Sequence, residues 1–138
     1  MKLTMLGTGN ASVTKCYNTC FTISEGNEYF LIDGGGGNGI LSILEEENIP
    51  MTSIHHIFVS HGHTDHVLGI IWILRIIAQG MHKGSYEGEL KVYCHKELRE
   101  MLDIMCNMML PKKFLKFFGN RILFTEVIDG QEEEILGC

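Results

Sequence analysis

The spacing of apolar side chains along the chain changes period several times, and each change marks an element. KLTML at positions 2–6 and the runs CFTIS and EYFLID alternate apolar and polar residues, as half-buried strands do. Glu25, Gly26 and Asn27 separate the second run from the third, which predicts a hairpin. After GGGGNG, the apolar positions Ile40, Leu41 and Leu44 take up helical spacing until Asn48 and Pro50, so a first helix is expected over 38–48. HHIFVS returns to a strand. HVLGIIWILRIIAQG is apolar on nearly every side, which predicts a helix buried between layers and stopped at Gly80. LKVYC alternates again. KELREMLDIMCNMML then places Leu98, Met101, Leu102, Met105, Met108 and Met109 at helical spacing before Pro111, with the methionines as core filler. RILFTEVIDGQEEEIL predicts two strands around a turn at Asp129-Gly130. Strands and helices alternate, so the fold class is α/β (α+β).

Composition narrows this picture. A chain of 138 residues that is 45% hydrophobic suffices for one packed domain and hardly for two, and no repeat, low-complexity tract or linker divides it. The net charge of -6 and pI near 5.6 argue against broad attraction to nucleic acid, although Lys112, Lys113 and Lys116 form a local basic patch. The five cysteines at 16, 20, 94, 106 and 138 form no paired framework, and MKLTMLGTG lacks the basic-then-apolar pattern of a secretory signal, so the expected compartment is the cytoplasm. Val67 to Leu74 is interrupted by Arg75 and falls short of the roughly 20 apolar residues that a spanning helix needs, so no membrane partner is expected.

The candidate chemistry lies in FVSHGHTDHVLGI, residues 58–70. A strand running out into HGHTDH presents His61 and His63 on one side by its period of two, and Gly62 lets the backbone bend between them. One metal could take that pair. If the next helix begins near Thr64, Asp65 and His66 leave its first turn over the same pocket and form a second, mixed half-site. Imidazole with carboxylate suits zinc, then manganese or iron. A lone histidine at a strand end is ordinarily a polar residue meeting water, but four ligand-type side chains within six residues are poorly explained by solvation. His55 and His56 lack the spacing, and His82 and His95 are isolated.

Two rival patterns compete. Gly34, Gly36 and Gly39 have the G-x-G-x-x-G spacing of a dinucleotide loop between strand and helix. No acidic residue lies between Asn48 and Thr64 to bind a ribose, Asp33 would repel the pyrophosphate, and Ile40 stands where a phosphate loop requires lysine. Cys16 and Cys20 are spaced too widely for C-x-x-C and fit two small, partly buried residues better. LGTGNASVTKCYN is expected to be a loop passing the pocket, with Asn18 or Thr14 within reach of substrate.

The sequence resembles the metallo-β-lactamase superfamily, whose His-x-His-x-Asp-His motif is matched by His61, His63, Asp65 and His66. LGTGNA after the first strand and LIDGGGG after the third resemble the opening of its ribonuclease Z-like branch, and the likeness runs along the whole chain in order. The resemblance implies an αββα sandwich and two zinc ions per complete site, with manganese or iron as alternatives. It further implies a bridging hydroxide that attacks a phosphodiester, RNA included, rather than a lactam or thioester. Asp33 would brace the metal loop, and Asp65 would ligate metal while orienting or deprotonating the water. The family's third-strand Asp-Cys-Gly-Glu is here Asp33-Gly34-Gly35-Gly36, and no basic, glycine-rich arm is recognisable. A related hydrolase with another ester substrate, or a non-catalytic metal-binding fragment, is therefore the alternative.

The resemblance also implies a third histidine, a bridging aspartate and a final histidine farther along. No histidine follows His95, and the later aspartates are Asp103, within the helical pattern, and Asp129, in the expected turn. The chain is accordingly expected to be the N-terminal half only of the sandwich, truncated as a single domain over 1–138. It should leave an apolar sheet face open, with homodimerisation as the consequence.

Overall fold

The computed structural model describes residues 1–137. Six strands form one sheet in sequence order: β1 (Lys2–Gly7), β2 (Cys20–Glu25), β3 (Glu28–Ile32), β4 (Ile54–Phe58), β5 (Leu90–Cys94) and β6 (Ile122–Glu126). The first three are antiparallel neighbours and the rest pair in parallel. Parallel neighbours need crossovers, and these are helical: α1 (Gly39–Glu46), α2 (Thr64–Lys83), and α3 (Lys96–Met109) with the short α4 (Lys112–Leu115). The β2–β3 hairpin turns through Gly26 in the left-handed region at φ +59°.

Alternation along the strands sorts residues to two faces. Leu31, Ile57 and Val92, in register on β3, β4 and β5, point to the helical side and are fully buried with Ile40, Leu44, Ile70, Ile73, Leu74 and Ile77. On the other face two rows cross all six strands, Leu3–Ile23–Phe30–His56–Lys91–Leu123 and Met5–Phe21–Ile32–Phe58–Tyr93–Thr125. The helices touch one another on the first face, α2 contacting α1, α3 and α4. The second face carries no helix; Leu3 is 57% and Met5 44% exposed there. This is a helix layer on a sheet layer, half of the expected αββα arrangement.

Four expectations are corrected. The second helix does not stop at Gly80 but runs to Lys83, where Gly84 closes it at φ +80° and donates to the Gly80 and Met81 carbonyls. Nor is that helix buried all round, because Trp72 on its outer side remains 40% exposed. On α3 the buried stripe is Leu98, Leu102 and Cys106; Met108 and Met109 lie past it, 82% and 57% exposed, and are not core filler. Finally, among the described residues no strand follows the Asp129-Gly130 turn. Residues 127–135 instead run beside Phe30, Phe58 and Tyr93 on the open face, and the consecutive Glu132, Glu133 and Glu134 combine low strand propensity with mutual repulsion. Cys138 lies outside the described residues. Among the described residues no helix is long and apolar enough to cross a membrane.

Candidate metal centre

β4 continues its pairing one residue beyond Phe58, through the Val59 amide donating to Tyr93 O at 3.0 Å, and then leaves the sheet. Residues 60–63 follow, and α2 starts at Thr64, with the His63 carbonyl accepting from the His66 and Val67 amides at 3.0 Å each. This start puts Asp65 and His66 in the first helical turn, beside the histidines delivered by the strand. The His61 ring lies 4.7 Å from that of His63 and 4.0 Å from that of His66, centroid to centroid. Asp65 Oδ2 is 3.2 Å from His66 Nε2. The sequence cluster is thus brought together in space.

Asp33 ties this group to the sheet. It ends β3 at φ +59°, a conformation that aspartate tolerates better than most residues, and it is only 5% exposed. Its Oδ1 accepts from the Ser60 amide at 2.7 Å. Its Oδ2 accepts from Ser60 Oγ at 2.6 Å and from His66 Nδ1 at 2.8 Å. With its proton committed to Asp33, Ser60 Oγ accepts from His61 Nδ1 at 2.9 Å. One buried carboxylate therefore orients two imidazoles, directly and through a serine, and leaves Nε2 of each to face outwards. Such outer hydrogen bonds fix the tautomer and orientation of metal-binding histidines. The His66 Nε2 lone pair then meets the Asp65 carboxylate, two electron-pair donors that a cation between them would satisfy. This chemistry fits part of a divalent-metal site. It is only part, since among the described residues no three His, Cys, Asp or Glu side chains converge to hold an ion.

The glycine run serves this geometry. The Gly34 amide donates to His66 O at 3.0 Å and the Gly69 amide to Gly35 O at 2.9 Å. A Cβ on Gly69 would sit 1.8 Å from Gly34 O, and one on Gly34 would sit 2.5 Å from Ile70 N. Tyr17 Oη lies 2.9 and 2.7 Å from the Gly34 and Gly37 carbonyls and accepts from the Gly37 amide at 3.2 Å. The amides of Gly34 and Gly37 are therefore spent within the protein rather than turned out to cradle a phosphate, which removes the physical basis of the dinucleotide reading. Asn18 reaches the same loop: a Cβ on Gly36 would meet Asn18 Oδ1 at 2.6 Å and Asp65 Cα at 3.8 Å. Thr14 is exposed.

The remaining histidines stand apart from the cluster. His55 contacts Glu89 O and Tyr86 Oη, at 3.1 and 3.0 Å. His56 stacks on Tyr93, and burial, then Lys91 and His55, hold its pKa below the usual imidazole value. His95 caps α3 by accepting from the Leu98 amide at 3.4 Å, and His82 meets the Phe114 ring edge-on. Cys16 and Cys20 are both free; Cys16 is exposed, whereas burial, with help from Asp33, pushes the Cys20 thiol up to about 12. Sequence reasoning missed Ser60 and Tyr17. Ser60 carried a signal in its position directly before His61, but nothing local to Tyr17 announced partners 17 and 20 residues away.

Comparison with known proteins gives a consistent picture. The profile of the family described as "Anti-Pycsar protein Apyc1" matches residues 1–111. The chain is 38% identical over 109 residues to a ribonuclease Z of Methanococcus maripaludis, covering 78% of this chain and 33% of that protein. It is 37% identical over 70 residues to the "Anti-Pycsar protein Apyc1" of Bacillus phage vB_BsuM-Goe3, covering 50% of this chain and 26% of the phage protein. Among solved structures, the short form of human tRNase Z superposes with a TM-score of 0.70 at 22% identity, over 91% of this chain and 44% of that one. The chain thus spans about a third of the length of the curated relatives it matches.

Proposed function

Because the chain belongs to the Anti-Pycsar protein Apyc1 family, within the ribonuclease Z-like branch of the metallo-β-lactamase superfamily, we propose that it carries the N-terminal part of the metal centre of a phosphodiester hydrolase. The observation that carries this reading is the buried Asp33 carboxylate, hydrogen-bonded to His66 and, through Ser60, to His61. His61 and His63 would hold one ion and Asp65 and His66 a second, with zinc preferred and manganese or iron as alternatives. A bound divalent ion supplies a hydroxide near neutral pH and neutralises charge on phosphate oxygens. Asp65, beside His66, holds the proton of an attacking water at a carboxylate oxygen, while Asp33 and Ser60 keep the rings aimed. A phosphodiester, RNA among the candidates, suits such a centre better than a lactam or thioester, because both its attacking and leaving oxygens gain from the charge. A cytoplasmic setting and a second copy of the chain covering the open sheet face complete the proposal.

A second reading, a metal-binding unit without turnover, is favoured by one observation, the lack of three converging donors among the described residues. One experiment separates them. Metal is measured by elemental analysis after dialysis in the parent and in H61A/H63A, and hydrolysis of bis(p-nitrophenyl) phosphate and of nitrocefin is followed for both. The parent is expected to retain zinc or manganese and to cleave the phosphodiester faster, and the double variant to lose most of both. Full metal stoichiometry in H61A/H63A, or preference for nitrocefin, would sink the assignment; metal without turnover would leave the second reading.

A further inference from the structure

Two neighbouring parallel strands deliver the histidine loop and the helix beside it to the same end of the sheet. β4 and β5 pair through Phe58 and Tyr93, the Val59 amide extends that pairing to the Tyr93 carbonyl at 3.0 Å, and residues 60–63 and α3 leave from there. α3 is firmly anchored. Leu98, Leu102 and Cys106 are buried on its inner side, the Leu98 amide donates to His95, and Arg99 Nη1 donates to Glu126 Oε1 at 2.7 Å. Met101 follows Leu98 by three residues and shares its face of the helix. It is half-buried and packs against the core.

The three imidazoles of the cluster are held unequally. Asp33 orients His66 directly and His61 through Ser60. Among the described residues no group hydrogen-bonds the His63 ring, whose contact is the His61 ring, edge-on at 4.7 Å. That separation puts both rings on one side of the loop, and a Cβ on Gly62, the residue between them, would fall on the other. It would sit 2.8 Å from Met101 Cε, 3.3 Å from Met101 Sδ and 3.5 Å from Leu98 Cδ1. Gly62 is not among the glycines with positive φ. The space taken by Met101, rather than a tight bend, is therefore what calls for glycine here.

We infer that Met101 is the positioning residue for His63. With Leu98 beside it, its thioether end seats the Gly62 backbone from the side opposite the rings, and does by packing what Asp33 does for His61 and His66 by hydrogen bonding. The inference rests on the metal-centre reading and deepens it. A ring without a hydrogen bond is aimed only as well as the backbone that carries it. Methionine suits the place, since its unbranched, polarisable end fills an irregular gap. Meeting the loop from behind, its sulfur is not offered to the ions. Removing it opens a void against Gly62, into which the loop relaxes and carries His63 away from His61. Met105, one turn further along α3, is half-buried against the same core but is not among the nearest neighbours of Gly62.

The test uses the 138-residue chain. In the metal-free protein, labelled at its methionine methyls, a nuclear Overhauser contact is expected between Met101 Cε and the Gly62 α-protons. Zinc affinity, read by competition with a chelator, should fall about tenfold in Met101→Ala, the low end of what loss of an outer partner costs a metal site. It should stay near that of the parent in Met101→Leu, which conserves volume. Adding Gly62→Ala to Met101→Ala should recover part of the loss, because the new methyl enters the vacated space. Met105→Ala should melt earlier without loosening zinc. If Met101→Ala fails to fold, Gly62→Val presses on the same contact from the loop side and is expected to weaken zinc in its place. No contact between Met101 and Gly62, parent affinity in Met101→Ala, no recovery in the double variant, or equal weakening in Met105→Ala would overturn the inference. A parent that holds no zinc would sink the metal reading alone. The seat is then judged in the metal-free chain by the His63 Cε1–H resonance, expected to move in Met101→Ala and not in Met105→Ala; a resonance that stays in both would overturn it.

Discussion

At the scale of single residues, Asp33 holds the most consequence. Its carboxylate takes three hydrogen bonds while nearly buried, so Asp33→Ala strands the Ser60 amide, the Ser60 hydroxyl and His66 Nδ1 together. A donor left without a partner costs about 1–3 kcal/mol when buried, which applies to the half-buried His66 more than to the exposed Ser60, and loss of an orienting outer hydrogen bond costs a metal site about 10–100-fold in affinity. Asp33→Ala is therefore expected to melt earlier and, in competition with a chelator, to bind zinc about 10–100-fold more weakly. Ser60→Ala frees the His61 ring and takes one donor from Asp33 but keeps the His66 bond, and should fall between it and the parent. Equal affinity in all three proteins would mean that Asp33 has no part in holding the site. The crowding of His61, His63, Asp65 and His66 was legible because ligand-type side chains sit within one turn of chain. The brace was less so, since Ser60 is an ordinary strand-end residue and Tyr17 acts across the fold.

Among the elements, α2 carries the tightest test of packing. Glycine to alanine inside a helix ordinarily gains up to about 1 kcal/mol, and Gly80→Ala should keep only part of that gain, because the new methyl would meet Ser85 Oγ at 3.4 Å and, more tightly, the Cβ of buried Tyr86 at 3.1 Å. Gly69→Ala would instead drive Cβ to 1.8 Å from the Gly34 carbonyl oxygen, and backbone on both sides must part. It is expected to lose about 1–3 kcal/mol, as overpacked cores do, and to loosen zinc as well, because Gly34 follows Asp33. Denaturant melts of the two variants give the answer; a Gly69→Ala protein as stable as Gly80→Ala would show that the glycine loop moves freely. The same pair shows what the hydrophobic pattern conveyed. Period-two runs located strands and the hairpin, helical spacing located α1 and α3, and a run apolar on nearly every side located α2. The pattern could not tell a glycine within a helix from a glycine that ends one, since the difference lies in the positive φ of Gly84. It likewise assigned a strand to residues past Asp129 that instead run along the open face.

For the molecule as a whole, the controlling fact is a six-stranded sheet covered by helices on one side. Leu3, Met5, Phe21 and Ile23 stand on the uncovered side of β1 and β2, away from residues 127–135, which lie beside Phe30, Phe58 and Tyr93. Soluble monomers seldom leave a contiguous apolar patch beyond a few hundred Å² in water, and a sheet with one apolar face bare gains most by stacking that face on another. A second copy presents the same rows, so the apposition is self-complementary and closes as a two-fold dimer. The 138-residue chain is accordingly expected to sediment as a dimer at micromolar concentration. Leu3→Lys with Ile23→Lys, a cross-strand pair, should yield a monomer. Its stability should fall little, because Leu3 is already 57% exposed and the helical side of the sheet is untouched. Sedimentation is run with a reductant, because the exposed Cys16 offers a disulfide between copies, whereas Cys20, Cys94 and Cys106 are buried, with thiols pushed by burial to about 12, 11 and 12. A parent chain that sediments as a monomer, or a lysine variant that remains a dimer, would refute the stacking. In the second case the outer side of α2 and α3, where Trp72, Ile104 and Met108 are exposed, would be the surface that joins the copies.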